Sequence, residues 1–153
     1  MPRITAIEKL SLPERHLLRT RHRGDVGRVP EFGGDGFSLL SAHMKAVGGA
    51  LSDIPYVAFR GQDPADMRLE VCFPLAEAKR GGGDVEAAML PAGDIVFCMH
   101  LGDYEGTMAV HEEMRAWIGA RGLPRPEISC EQYFNGLEFP VDQLLTKIFM
   151  PLP

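Results

Sequence analysis

The chain has 153 residues, of which 45% are hydrophobic and 24% charged, and its formal net charge is -5. These values predict one ordinary globular domain, or two small modules that share a core, and they exclude an intrinsically disordered chain. The acidic balance argues against direct nucleic-acid binding, which needs lysine and arginine to neutralise phosphates. No apolar run is long enough to span a bilayer, and charges interrupt the N-terminal segment where a signal peptide would be apolar. We therefore expect a cytoplasmic protein with no membrane partner.

In chain order, the first half of the sequence predicts two strands, a helix and two more strands. The first strand covers residues 4–10, and the second ends at a His-x-Gly-Asp phrase whose Asp25 can cap the helix that follows. Gly48 is positioned to end this helix, and the last two strands cover residues 56–61 and 67–75.

The second half predicts the same elements. Its first strand covers residues 85–90, its second ends at Asp103, its helix ends at Gly122, and its last strands cover residues 127–134 and 144–152. The segment MLPAGDIV between the first two strands has proline and glycine at turn positions, so a hairpin is predicted there.

The two halves are copies of one pattern. At a constant offset of 78 residues, Leu12, Pro13, His22, Gly24 and Asp25 recur as Leu90, Pro91, His100, Gly102 and Asp103. The two halves also end with similar segments, VCFPL and IFMPL. Fixed-period similarity indicates duplicated structure. We therefore predict an α+β fold of two β-β-α-β-β modules related by a pseudo-twofold axis. Each module has an antiparallel sheet and one helix, and a cleft lies between the modules. The repeats cover about 1–80 and 84–153, with the glycines at 81–83 as hinge.

Apolar residues recur at helical spacing in both halves and predict the faces that pack on the sheets. The predicted core positions are Phe37, Leu40, Met44 and Val47 in the first helix, and Thr107, Val110, Met114, Trp117 and Ile118 in the second.

Two polar motifs lack a residue that a functional site of their type requires. The segment HEEMR has an arginine where a zinc helix has its second histidine, and the GGDG segment lacks the lysine of a phosphate loop and reads as a flexible loop. The three cysteines lie in apolar, strand-like runs without CxxC spacing and read as buried, reduced thiols. We therefore expect no metal and no cofactor. Four arginines share one face of the second strand: Arg15, Arg19, Arg21 and Arg23. We interpret this face as a charged edge or a solvent-exposed face. The alternative is a site that binds an anion or an acidic partner.

The segment ISCEQYF places Glu131 inside an apolar strand. Alternation assigns Ile128 and Cys130 to the helix side of the sheet and Ser129, Glu131 and Tyr133 to the opposite side. Glu131 is then either a solvated surface carboxylate or the polar group of a pocket between the modules. Aligning the two copies at Pro55 and Pro126 places Arg60 at the corresponding position. The aromatic residues predicted to line the pocket are Tyr56, Phe73, Tyr133 and Phe149.

The phrases HLGDYEGT, WIGARGLP, SCEQYF and IFMPL resemble the GyrI-like small-molecule-binding domain, also called the AraC-type effector-binding domain. The resemblance covers essentially the whole chain. It implies a duplicated fold with a ligand cleft, and it places the family's pocket glutamate on Glu131 and a conserved turn on His100, Gly102 and Tyr104.

Three functions follow from this resemblance. The first is a stand-alone protein that binds cationic or amphipathic aromatic ligands, because no helix-turn-helix segment precedes Ile4 or follows Pro153. The second is a hydrolase of strained-ring, cyclopropanoid toxins, in which Glu131 activates water and a tyrosine donates a proton. The third is a gyrase inhibitor-like protein that acts on a protein partner.

Overall fold

The computed structural model describes residues 3–61 and 63–153. The chain divides into two compact units, and each contains four antiparallel strands and one α-helix. This arrangement confirms the predicted α+β class and the single helix in each copy.

Unit 1 consists of residues up to Leu12 together with Gly93–Pro153. Its strands are β1 (Glu8–Leu12), β6 (Gly93–Leu101), β7 (Ile128–Tyr133) and β8 (Leu145–Pro151), and its helix is α2 (Thr107–Ala120). The sheet order is β1-β6-β8-β7. Its core lies between α2 and one face of the sheet, where Val110, Met114 and Ile118 contact Val96 and Ile148.

Unit 2 consists of Pro13–Ala92. Its strands are β2 (Arg15–Gly24), β3 (Tyr56–Arg60), β4 (Met67–Leu75) and β5 (Glu86–Leu90), and its helix is α1 (Val29–Val47). The sheet order is β3-β4-β2-β5, which corresponds strand for strand to unit 1. Phe32 and Leu40 of α1 pack on Leu18, Leu69 and other apolar residues of this sheet.

The first strand of each half pairs with the other half, so the predicted hairpin is wrong. β5 pairs with β2, and β6 pairs with β1. Gly93 does not adopt the positive φ that a two-residue hairpin turn needs, and the proline before it favours an extended chain. Consequently the boundaries between the units along the chain fall at Leu12–Pro13 and Ala92–Gly93, not near residues 81–83. The glycines predicted as a hinge lie inside unit 2, where Gly82 and Val85 close a tight turn through two backbone hydrogen bonds.

The strand registers confirm the repeat. Leu17 lies opposite Pro74, and Ile95, its counterpart at the offset of 78, lies opposite Pro151. The same registers correct the predicted counterpart of Glu131. Glu131 lies opposite Ile148 and the matching position opposite Val71 is Val57, whereas Arg60 lies opposite Arg68.

Both helices begin after a short 3-10 turn capped by an aspartate, as the His-x-Gly-Asp phrases predict. The Asp25 carboxylate accepts a hydrogen bond from the Gly27 amide at 2.8 Å, and the Asp103 carboxylate accepts one from the Glu105 amide at 3.1 Å. The glycine after each helix, Gly48 or Gly122, has a positive φ and ends it as predicted.

The predicted helix faces are partly wrong. Phe37 is 53% exposed, Trp117 is only partly buried beneath the Arg121 guanidinium, and the buried positions of α1 are Phe32, Gly36 and Leu40. The GGDG segment is part of α1 instead of a loop. Gly36 of this segment lets the helix approach the sheet, because a β-carbon there would lie 2.5 Å from Val71 Cγ2.

The arginine-rich strand is not an edge, because β2 lies between β4 and β5. Its arginines form ion pairs with carboxylates of the same unit. Arg21 pairs with Glu86 at 2.8 Å, Arg23 pairs with Asp66 at 2.6 Å, and Arg19 lies 3.5 Å from the buried Glu70. This pairing accounts for the arginine pattern without a bound anion.

Candidate functional site

Glu131 lies on the helix side of its sheet, opposite to the predicted side. Its cross-strand partner Ile148 belongs to the core beneath α2, and residues directly opposite in an antiparallel pair point to the same face. Cys130, predicted to face the helix, instead shares the other face with Phe149. Alternation failed here because Ser129, Cys130, Glu131 and Gln132 are all buried, so the strand has no exposed face to identify.

Glu131 is 7% exposed, and each of its carboxylate oxygens has a hydrogen-bond partner. Oε1 lies 2.7 Å from the Tyr133 hydroxyl, and Oε2 lies 2.6 Å from His111 Nε2. His111 is one turn into α2 and is itself buried, and its second ring nitrogen, Nδ1, contacts the Ser129 hydroxyl. Four side chains therefore form one continuous chain of hydrogen bonds, Ser129–His111–Glu131–Tyr133, between α2 and β7.

One assignment of protons satisfies every contact with a neutral imidazole. The Ser129 hydroxyl donates to His111 Nδ1, His111 Nε2–H donates to Glu131, and the Tyr133 hydroxyl donates to the other carboxylate oxygen. In this arrangement Glu131 is ionised and the four side chains carry a net charge of about -1. Among the residues that the structure describes, no lysine or arginine forms an ion pair with Glu131. In this assignment the site holds one buried negative charge, which no lysine or arginine of the described chain neutralises.

Two tyrosines border this carboxylate. The Tyr104 and Tyr133 rings meet edge to face with their centroids 5.2 Å apart, and both side chains are partly exposed. Burial raises the pKa of Tyr133 strongly, and the neighbouring Glu131 charge adds to the effect. Burial also raises the Tyr104 pKa, with smaller contributions from Glu138 and Glu131. Both phenols therefore stay neutral at physiological pH, and Tyr133 remains a hydrogen-bond donor.

Within unit 1, the structure brings together three of the predicted site residues: Glu131, Tyr133 and Tyr104. Phe149 lies on the opposite face of the unit 1 sheet, near the Lys147 ammonium at 5.7 Å.

Tyr56, Arg60 and Phe73 belong to unit 2. Tyr56 lies opposite Cys72 on the helix-free face, Arg60 hydrogen-bonds Glu70, and Phe73 packs against Phe37 of α1. Their role in ligand binding, and the pocket predicted between the repeats, stay predictions.

His111 and Ser129 were missed by the sequence analysis. The signal for His111 was present, because it falls between Val110 and Met114 on the buried stripe of α2. A histidine on a core-facing stripe needs a hydrogen-bonding partner, and Ser129 and Glu131 are spaced two apart on the facing strand, which places both on one face.

No three histidine, cysteine, aspartate or glutamate side chains within residues 3–61 and 63–153 lie close enough together to hold a metal ion. Neither helix of the described chain is long and apolar enough to cross a membrane.

Comparison with known families matches residues 5–153 to the GyrI-like small molecule binding domain. The chain belongs to this family. The match spans both units, so the GyrI-like domain includes β1 and β5, the strands that pair with the other half of the sequence. No match to this chain is found among the curated proteins.

Solved structures share the fold at low sequence identity. The C-terminal domain of EcmrR has a TM-score of 0.77 and 18% identity, with 97% of each chain covered. EcmrR in a complex with DNA has a TM-score of 0.82 and 17% identity; 96% of this chain is covered, but it spans only 57% of that chain. The GyrI-like domain thus shares its fold with the C-terminal domain of EcmrR.

Two further structures with this fold are a ligand complex and a hydrolase. SAV2435 bound to tetraphenylphosphonium has a TM-score of 0.64 and 12% identity, covering 97% of this chain and 94% of that chain. A hydrolase from Listeria innocua has a TM-score of 0.65 and 14% identity, covering 96% of this chain and 91% of that chain. At these identities the likeness establishes the fold alone.

Proposed function

We propose that this GyrI-like domain binds lipophilic aromatic cations and that Glu131 is the anionic group that selects them. The observation that carries the proposal is the Glu131 carboxylate, which is buried, hydrogen-bonded by Tyr133 and His111, and paired with no lysine or arginine of the described chain. A buried charge without a counter-ion is costly, and a cationic ligand would remove much of this cost.

The two tyrosines supply the apolar part of the site. Glu131 is almost fully buried, whereas Tyr104 and Tyr133 are partly exposed, so we expect the tyrosine rings to contact a ligand bound at the carboxylate. A cation over the face of such a ring gains about 0.5–2 kcal/mol, the larger value applying when water is excluded. The expected ligand therefore combines a delocalised positive charge with aromatic surface.

The fold comparison supports this class of ligand. SAV2435, whose structure aligns with 97% of this chain, is described as bound to tetraphenylphosphonium, a lipophilic aromatic cation. EcmrR, whose C-terminal domain shares this fold, is described in a complex with DNA. A role as the ligand-sensing part of a regulatory system is consistent with both.

The test compares Glu131→Gln with the wild type in binding of tetraphenylphosphonium and of neutral triphenylphosphine oxide, measured by isothermal titration calorimetry at pH 8. Glutamine preserves the shape of the side chain and removes its charge. We expect the affinity for the cation to fall at least tenfold, because loss of a desolvated charge partner costs about 2–5 kcal/mol. The affinity for the neutral probe should change little.

Glu70→Gln provides the matched control. Glu70 is also a buried glutamate on a strand, but it is surrounded by Arg19, Arg21 and Arg60 and belongs to unit 2. This variant changes the net charge by the same amount and should bind both probes as the wild type does. Equal binding of tetraphenylphosphonium by the wild type and Glu131→Gln would refute the proposal.

A hydrolytic function is the second candidate, favoured by the direct hydrogen bond from the Tyr133 hydroxyl to Glu131. In such a reaction Glu131 would take a proton from water as the water oxygen bonds to a strained-ring carbon. The breaking C–C bond would pass its electron pair into the conjugated electrophile, Tyr133 would protonate that group, and Glu131 would return the proton to Tyr133.

The geometry favours binding over this reaction. Both carboxylate oxygens already accept a hydrogen bond, and the Tyr133 hydroxyl donates to Glu131 and not to a substrate. Incubation with a cyclopropane electrophile distinguishes the two functions, since a hydrolase would yield the ring-opened water adduct and lose turnover in Glu131→Gln, whereas a binding protein returns the electrophile unchanged.

A further inference from the structure

His111 contacts Glu131 from α2 and is the group in this site whose protonation changes the charge that a ligand meets. Its Nε2 lies 2.6 Å from the Glu131 carboxylate, its Nδ1 contacts the Ser129 hydroxyl, and the imidazole is 6% exposed. The ring is therefore held in one orientation by a partner on each nitrogen.

We propose that His111 is the residue that determines cation selectivity at this site, because its protonation state decides whether the site presents a net negative charge or none. This inference rests on the proposed function. With a neutral imidazole, the Ser129–His111–Glu131–Tyr133 chain carries one negative charge and favours a cation. With an imidazolium, His111 and Glu131 form a neutral ion pair, and the cation loses its electrostatic attraction.

Few titratable groups other than His111 lie beside the Glu131 carboxylate. On β7 the facing groups are Glu131 and Tyr133, on β6 they are Cys98 and His100, and on the turn before α2 the group is Tyr104. The pKa of the Cys98 thiol is raised to about 11 by burial, and both tyrosine pKa values are raised. These three groups stay neutral below pH 8.

On β8 the residues facing α2 are uncharged, because Thr146, Ile148 and Met150 share that face whereas Lys147 lies on the other. On α2 itself, His111 is flanked by Glu112 and Arg115, which are less buried and do not contact Glu131 among the described ion pairs. Beside the carboxylate, these elements thus carry two imidazoles, those of His111 and His100.

His100 differs from His111 in its contacts. Its Nε2 donates to the Asp103 carbonyl at 2.9 Å, and it makes no contact with Glu131 in the described hydrogen bonds. It is equally buried, at 2% exposure, and lies in the same unit, so it is a matched control.

The test measures tetraphenylphosphonium and triphenylphosphine oxide binding from pH 5.5 to pH 8 for the wild type, His111→Gln and His100→Gln. The window stays above the ordinary glutamate pKa of about 4.3. For the wild type we expect the cation affinity to fall roughly tenfold or more towards pH 5.5, because a positive charge beside Glu131 offsets its attraction for a cation, while the neutral probe is unaffected.

His111→Gln keeps a side-chain amide that can donate to Glu131 but cannot take up a proton. Its cation affinity should be flat across the window, whatever its absolute value. His100→Gln should keep the wild-type pH dependence. A purely structural role for His111 would instead lower affinity equally at every pH. The proposal is overturned if the wild type shows no pH dependence or if His111→Gln retains it.

A measurement without ligand tests the charge assignment separately. Nitrogen-15 NMR of the imidazole rings at pH 8, with the His111 signals assigned by their loss in His111→Gln, should show a neutral ring protonated on Nε2. An imidazolium or an Nδ1-protonated ring at pH 8 would contradict the assignment. Absence of tetraphenylphosphonium binding by the wild type at every pH would contradict the proposed function, and the NMR result then decides the state of His111 by itself.

Discussion

Tyr133 connects the stability of unit 1 to the charge of Glu131. Its hydroxyl donates to the carboxylate at 2.7 Å, and its pKa is raised, first by burial and then by Glu131. A phenol whose pKa is higher in the folded state stabilises the fold at all pH values below the unfolded tyrosine pKa of about 10. This contribution is lost as the pH rises further, because the unfolded chain then releases a proton that the folded chain retains.

Tyr133→Phe should show this dependence. At pH 7 we expect the variant to be less stable than the wild type by about 1.5–3 kcal/mol, the value typical of a hydrogen bond to a charged group. Above about pH 10 the difference should shrink by roughly 1.4 kcal/mol for each pH unit. Urea unfolding of both proteins at pH 7, 10 and 11 measures it, and a difference that stays constant from pH 7 to pH 11 would contradict the assigned contact.

At the scale of secondary-structure elements, α1 approaches its sheet more closely than an ordinary helix could. A β-carbon on Gly36 would lie 2.5 Å from Val71 Cγ2 and 2.6 Å from Thr20 Oγ1, and both neighbours are buried. Gly34, one half-turn earlier in the same helix, has no atom within 4 Å of its β-carbon position. A methyl group added at Gly36 would therefore clash with the sheet, whereas one added at Gly34 would meet no neighbouring atom.

Alanine at these two glycines separates packing from helix propensity. Gly36→Ala should destabilise the protein by about 1–3 kcal/mol, because the added methyl group overfills a packed contact. Gly34→Ala should stabilise it by up to about 1 kcal/mol, because alanine restricts the unfolded chain and favours the helix. Thermal and urea unfolding measure both changes, and a stabilised Gly36→Ala protein would show that α1 does not lie against Val71 as described.

At the scale of the whole molecule, each unit is completed by a strand from the other half of the sequence. β5 completes the unit 2 sheet through its pairing with β2, and β1 completes the unit 1 sheet through its pairing with β6. The physical units of this fold are thus displaced from the sequence repeats by one strand.

Two fragments of equal length test this division. Residues 13–92 contain all four strands and the helix of unit 2, whereas residues 1–80 lack β5 and carry β1 without its partner. We expect the fragment 13–92 to unfold cooperatively in urea, although a unit of this size is only marginally stable. The fragment 1–80 should show no cooperative transition because its sheet and core are incomplete. If 1–80 unfolded more cooperatively than 13–92, the sequence repeat and not the contact-based unit would be the folding unit.

The sequence by itself determined the duplicated α+β pattern, the aspartate caps and the glycines that end both helices. These features depend on local chemistry, since hydrogen bonding by a cap, a positive φ at glycine and apolar periodicity are encoded within a few residues. The repeat was equally readable because related segments recur at one offset.

Only the tertiary structure decided which strands pair and which face of β7 carries Glu131. From the sequence, the segment at Leu90–Pro91 could form either a hairpin or an extended connection between β5 and β6. The connection is extended because β5 pairs with β2, which lies more than 60 residues earlier in the chain. The face of β7 could not be read from alternation, because that signal requires one face to be exposed and this strand is buried on both. Only the placement of α2 over β7 identified Ser129 and Glu131 as the partners of His111, since a hydrogen bond between distant segments leaves no periodic trace in a single sequence.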